Sequence, residues 1–179
     1  MAKQEIEVFK QIITYEGDDP MKVYKTGKVK SLFSTFGDIS ETYTFKQRSP
    51  TDFWFKIELK SKKKLSEEDI CIKEIANEIG VKIEGNLKRQ PVPQGQPTET
   101  GNVEVEIKGK FIFDRKEYID DDISAVGRAM GRGVYEMKQG VYNVCVLNPL
   151  KEKYKKILIE QGRKVYEEVK ATFNLQKLE

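Results

Sequence analysis

Between residues 21 and 60 apolar and polar side chains alternate in short runs broken by turn residues, the pattern of half-buried strands. The alternation predicts strands over Met21 to Thr26, Val29 to Phe36, Glu41 to Arg48 and Asp52 to Lys60, separated by Gly27, by Gly37-Asp38 and by Ser49-Pro50-Thr51. Separators this short join neighbours as hairpins, so the block reads as an antiparallel meander. In its last strand Phe53, Phe55, Ile57 and Leu59 share one face and belong to the core. Trp54, Lys56, Glu58 and Lys60 share the other, towards solvent.

The period then changes. Ser66-Glu67-Glu68-Asp69 has the composition of a helix start, with an acceptor at the cap and acids in the first turn, and Ile72, Ile75, Ala76 and Ile79 follow at helical spacing up to Gly80. A short strand is expected over Val81 to Glu84. Leu87 to Gly101, with three prolines and two glycines, reads as an exposed loop or arm. Asn102 to Asp114 is the clearest strand: Val103, Val105, Ile107, Phe111 and Phe113 form its apolar row, and Gly109 in that row suggests a bulge or a close backbone approach. Residues 122 to 131 read as a short helix and Val141 to Leu147 as a strand. Asn148-Pro149 caps a long final helix to about Phe173, whose buried stripe holds Leu150, Tyr154, Ile157, Leu158, Val165 and Val169, with Gly162 weakening its middle. Ile6 to Tyr15 fits either helix or strand. The expected fold is α+β, an antiparallel sheet packed against two or three helices with a long C-terminal helix, and 179 residues suit a single domain.

Composition narrows the function. The absence of histidine excludes a Ser-His-Asp triad, a Cys-His pair and any His-ligated metal within this chain. Neither the Walker A pattern nor GxGxxG occurs. Cys71 and Cys145 match no zinc or redox spacing and read as reduced, buried small hydrophobes. The N-terminus lacks the features of a signal peptide, and no run approaches the ~20 apolar residues that span a bilayer. A non-enzymatic cytoplasmic protein is expected, without cofactor or membrane partner.

The formal charge of +3 hides a segregation along the chain. Residues 22 to 64 carry eleven Lys or Arg against four Asp or Glu, a local +7, between flanks of −3 (1 to 21) and −4 (65 to 86). Lys22, Lys25, Lys28, Lys30, Lys46, Arg48, Lys56, Lys60 and the run Lys62-Lys63-Lys64 lie among Tyr24, Tyr43, Phe45 and Trp54. Single-stranded nucleic acid is bound by this mixture, because cations neutralise its backbone and aromatic faces stack on any base. The bland alternative is a solvated sheet face whose lysines protect its edges.

Two further constellations stand out. Asp114, Glu117, Asp120, Asp121 and Asp122 offer oxygen ligands, without EF-hand spacing, and also suit helix capping. In the segment from Ser124 to Gly133, Gly127 and Gly131 lie four residues apart, as do Arg128 and Arg132, so a helix there would pair two guanidinium groups into a phosphate grip. Tight helix packing explains the same spacing. Ser124-Ala125-Val126-Gly127-Arg128-Ala129-Met130-Gly131 resembles the Ser-Ala-hydrophobic-Gly-Arg-Ala-Leu-Gly helix motif of phage single-strand annealing proteins of the essential-recombination-function type. The resemblance covers eight residues, and the flanks depart from the family pattern. It implies a sheet-plus-helix protein that forms rings or filaments and anneals single-stranded DNA without nucleotide hydrolysis, with Arg128 and Arg132 near DNA or in packing.

The leading expectation is therefore an oligomeric protein that binds single-stranded DNA through a basic, aromatic sheet. The competing one is a structural or assembly subunit, for instance of a virion, ring or neck, whose 87 to 101 arm and strand edges contact neighbouring copies.

Overall fold

A computed structural model of the chain describes residues 4–65, 72–90, 98–115 and 148–175, together with residues 131, 133, 134, 136, 137, 140, 141, 144 and 145. The elements run β1 (Gln4–Asp18), α1 (Lys22–Lys25), α2 (Lys28–Phe36), β2 (Asp38–Gln47), β3 (Asp52–Lys64), β4 (Ile72–Gln90), β5 (Thr98–Arg115) and α3 (Asn148–Thr172). The sheet has the order β1-β5-β4-β3-β2, antiparallel throughout. β2 to β5 form a meander, and β1 joins it beside β5, so α1 and α2 carry the chain from one edge of the sheet to the other. The class is α+β.

One face of the sheet is the core. Phe55, Ile57 and Leu59 of β3, Ile79, Val81, Ile83 and Leu87 of β4, and Val103, Val105 and Ile107 of β5 are buried beneath the helices. From α2, Val29, Phe33 and Phe36 reach this core, and from α3, Val165 and Val169 do. Leu158 of α3 closes a second cluster with Ile75, Phe111 and Phe113. The stacked rings of Tyr15 and Phe173, with centroids 4.2 Å apart, pin the end of α3 to β1.

Five expected segments come out differently. Met21 to Thr26 and Val29 to Phe36 hold helices, not strands. Val29, Phe33 and Phe36 recur every three or four residues and all three are buried, whereas the alternation of Val29, Ser31, Phe33 and Thr35 fits the same letters with period two. Gly27, at φ 68°, supplies the left-handed turn that separates α1 from α2. Conversely, the expected helix over Ile72 to Ile79 is the start of the central strand β4, paired on both sides. There Ile75, Ile79, Val81, Ile83 and Leu87 keep one row, and Gly80 lies inside the strand. Ser66 to Asp69 lie outside the described residues. The stretch from Leu87 to Gly101 is strand at both ends, with Leu87 opposite Gly101 and Gln90 opposite Thr98, and residues 91–97 are outside the description. Val141, expected in a strand, is helical, and Val144 and Cys145 lie in a helical turn. Val134, Met137, Val141 and Val144 are exposed. Cys145 is exposed, not buried, and Cys71 lies outside the described residues.

The strand over Asn102 to Asp114 and the final helix lie where expected, and the ambiguous N-terminus is β1. Gly162 has a definite role: a Cβ there would lie 2.5 Å from Phe9 Cδ1, and on its other side Phe9 packs against Gly109 of β5. The two glycines therefore open a slot that admits the Phe9 ring between sheet and helix.

Candidate nucleic-acid interface

The eleven basic residues of the 22 to 64 block divide between the two sides of the sheet. Lys22, Lys25, Lys28 and Lys30 belong to α1 and α2, on the helical side. Lys25 reaches Asp19 at 2.8 Å and Glu99 at 2.6 Å, Lys28 reaches Glu168 at 3.2 Å, and Lys30 reaches Glu41 at 2.5 Å. Burial opposes the charge on Lys25, yet the hydrogen bonds from Asp19 and Glu99 outweigh it and raise its pKa. Lys46, Trp54, Lys56, Lys60, Lys62 and Lys64 lie on the opposite, outer face, as alternation along β2 and β3 requires.

That outer face is not a basic surface. The acidic stretch of the sequence becomes β4, directly beside β3, and β5 and β1 add further glutamates. Lys56 meets Glu58 at 2.7 Å, Lys62 meets Glu74, Lys82 meets Glu84 at 2.6 Å, and Lys108 and Lys10 share Glu106 at 2.9 and 3.2 Å. Lys60 lies 3.9 Å from Glu58, and Lys110 lies 2.9 Å from Glu5. Hydrogen bonds from Lys56 and Lys108 hold Glu58 and Glu106 below the usual carboxylate range. Charges segregated along the chain are thus interleaved in space. Lys63 and Lys64 project, exposed, from the end of β3, with no ion pair among the described residues.

Lys46, Arg48 and Trp54 do come together. Lys46 and Trp54 are cross-strand partners with the ammonium 5.7 Å from the ring centroid, and Arg48 Nη1 donates to Asn86 Oδ1 at 3.2 Å. Asn86 in turn donates to Asn102 at 3.2 Å. Arg48, Trp54 and the two asparagines line an open trough of about 760 Å³ with Thr14, Glu16, Glu84 and Glu104. One guanidinium faces three carboxylates there, a balance that repels phosphate. The run Lys62 to Lys64 begins eight residues along β3 from Trp54, about 26 Å at strand rise, so it does not share this site.

A different grouping lies on the helical side, along the edge strand. Tyr43 and Phe45 share the row of β2 that faces the same way as Phe53 and Phe55. α2 packs on β3 nearer its other end, leaving Tyr43 48% and Phe45 37% exposed. Their rings continue a ladder: Tyr24 to Tyr43 at 5.9 Å, Tyr43 to Phe45 at 6.2 Å, and Phe45 to Phe53 at 5.2 Å, all within 23° of parallel. Cations bracket it. At one end the Tyr24 hydroxyl donates to Glu41 at 2.6 Å and Lys30 binds the other oxygen of that carboxylate. Lys30 and then Tyr24 hold Glu41 low, and the bond to Glu41 raises Tyr24. At the other end the Arg89 guanidinium lies 4.9 Å from the Phe53 centroid while its Nε donates to Glu99 at 2.9 Å. Burial disfavours the Glu99 charge, but Lys25 and Arg89 overcome this and lower its pKa.

Tyr43 and Phe45 are among the aromatics of the basic block, though the expected site rests on Trp54, and the charge pattern does not single out Arg89. The alternation of Thr42, Tyr43, Thr44 and Phe45 signals one aromatic row, but only the sheet order shows that the row lies at an open edge. Arg89 sits in a stretch whose prolines and glycines masked its strand. Arg128, Arg132 and the annealing-protein motif up to Met130 lie outside the described residues, and Gly131 is helical. Asp114 is the last but one residue of β5, the other four acids of its set lie outside the description, and no group of three potential metal ligands occurs among the described residues. No described helix is long and apolar enough to cross a membrane.

No family model and no curated protein matches the chain. Among solved structures, the Mll3558 protein from Rhizobium loti aligns over 76% of this chain and 96% of its own at 11% identity and a TM-score of 0.17. An uncharacterized protein from Rhizobium leguminosarum aligns over 75% and 93% at 9% identity and a TM-score of 0.16. Likeness at that level carries no inference about fold or function.

Proposed function

We propose that the chain is a non-enzymatic protein that binds single-stranded nucleic acid, DNA by preference, along the β2 edge. The observation that carries this reading is the ladder Tyr24-Tyr43-Phe45-Phe53, in which Tyr43 and Phe45 are exposed, bracketed by Lys30 and Arg89. Base–aromatic stacking contributes about 1–3 kcal/mol per base and tolerates any sequence. Lys30 and Arg89 already hold carboxylates, but surface ion pairs are worth only about 0.2–1 kcal/mol. Exchanging a carboxylate for a phosphate therefore costs little and releases counterions from the strand. With few phosphates engaged, affinity falls gently with salt. The Trp54 trough, with its carboxylate excess, takes no part.

The test is fluorescence anisotropy of a labelled oligothymidylate at low salt. Tyr43→Ala with Phe45→Ala is expected to weaken binding by about tenfold or more, the loss of one to two stacked bases, while Lys63→Ala with Lys64→Ala changes it little. Absence of binding by the unaltered protein, or indifference to the aromatic pair, overturns the reading.

A further inference from the structure

The two edges of the sheet are finished differently. At β1 the register with β5 slips between Glu7 and Phe9, a bulge, and α3 packs along the strand. Bulges and cover are the usual means of keeping a strand edge from pairing with another chain. β2 has neither. Its ten residues, Asp-Ile-Ser-Glu-Thr-Tyr-Thr-Phe-Lys-Gln, pair with β3 in unbroken register from Asp38 to Gln47 and contain no proline. Nine of them are exposed, Ile39, Tyr43 and Phe45 included.

From this we infer that β2 pairs antiparallel with β2 of a second copy of this chain, joining two sheets into one of ten strands about a twofold axis through Thr42. The strand is self-complementary in that register. Asp38 stands opposite Lys46 of the other copy, Ile39 opposite Phe45, Ser40 opposite Thr44 and Glu41 opposite Tyr43, and symmetry repeats each pair. Asp38 and Lys46 lie on the outer face in both copies, and Ile39 and Phe45 on the helical face, as a twofold axis normal to the sheet demands. A slip by two residues in one direction sets Glu41 against Glu41. A slip in the other leaves Lys46 against Ser40 and sets Glu41 against Phe45. Opposite charges and large apolar residues facing each other across strands are favourable pairs, and like charges are not. The pairing also brings the two aromatic ladders side by side on one face, between the helices of the two copies. Residues of both subunits then floor a single cleft.

Sedimentation velocity of the full chain without oligonucleotide, at increasing concentration, tests this apart from the nucleic-acid reading. A dimer is expected. Asp38→Lys turns two attractive pairs into repulsive ones by symmetry and weakens dimerisation by about tenfold or more, and adding Lys46→Asp restores it. Circular dichroism checks that both variants keep their secondary structure. A chain that stays monomeric at its highest soluble concentration overturns the inference, as does a double variant no tighter than Asp38→Lys alone. Either result leaves stacking on Tyr43 and Phe45 to be judged by its own assay.

Discussion

The two faces of β3 use the same backbone for opposite ends. On the helical side Phe53, Phe55, Ile57 and Leu59 are buried, and a change of one methylene is felt because interiors are close-packed. On the outer side Lys56 and Lys60 pair with Glu58 of their own strand and Lys62 with Glu74 of β4, and each pair is exposed enough to be exchanged at little cost. Position along the strand says little about energetic weight; the face says most of it. The contrast also shows why a run of lysines in a sequence is a poor guide to a basic surface: pairing chooses the neighbours, and here it chose acids.

The contrast can be broken first from the inside. Phe55→Ala is expected to cost about 3–5 kcal/mol, since the ring is fully buried at the centre of the core; urea unfolding of the variant would show it. Next comes Gly162→Ala. The substitution gains about 1 kcal/mol in helix propensity, but the methyl meets Phe9, which Gly109 confines from the other side. Overpacking of this kind costs about 1–3 kcal/mol, so the net effect is a loss, and adding Phe9→Leu should recover most of it.

The smallest effect belongs to the outer face. Glu58, Glu84 and Glu106 titrate below the ordinary carboxylate value of about 4.3, and Lys56, Lys82 and Lys108 are respectively the first cause of each shift. Depressed folded-state values mean that these pairs stabilise the fold above that pH and lose their contribution as the pH falls through the folded values. Thermal midpoints measured from pH 6 down to pH 3 should therefore decline at the acid end. The decline should be shallower at high salt, which has already screened the pairs.

How far the fold could be read from the sequence depended on whether one periodicity had a rival. β3, β5 and α3 had none, because Phe53 to Leu59, Val103 to Phe113 and Leu158 to Val169 each fit a single period. β4 and α2 were exchanged. Ile72, Ile75, Ala76 and Ile79 fit a helical stripe, while Ile75 and Ile79 also continue the strand row of Val81 and Ile83, and Val29 to Phe36 holds the opposite ambiguity. Long-range pairing settled β4, since a strand between β3 and β5 satisfies backbone groups on both sides, and packing of Phe33 and Phe36 settled α2. Of the expected site, alternation put Trp54 on the face opposite Phe53 and Phe55, where it lies. Lys56 and Lys60 meet Glu58, which alternation along the same strand already places between them, but the pairing of Lys62 with Glu74 was not legible, because it needs the β3–β4 register in a stretch that reads as a helix.

The slot that holds Phe9 has a kinetic meaning. Its walls, Gly109 and Gly162, lie 100 and 153 residues downstream of the ring, so the slot is complete only when both have been made. The meander from β2 to β5 assembles from neighbours, whereas adding β1 beside β5 joins segments as far apart as Phe9 and Gly109. Non-local contacts of this kind slow folding. During synthesis β1 therefore waits for β5 before it can pair, and the Phe9 ring is enclosed only once α3 has left the ribosome.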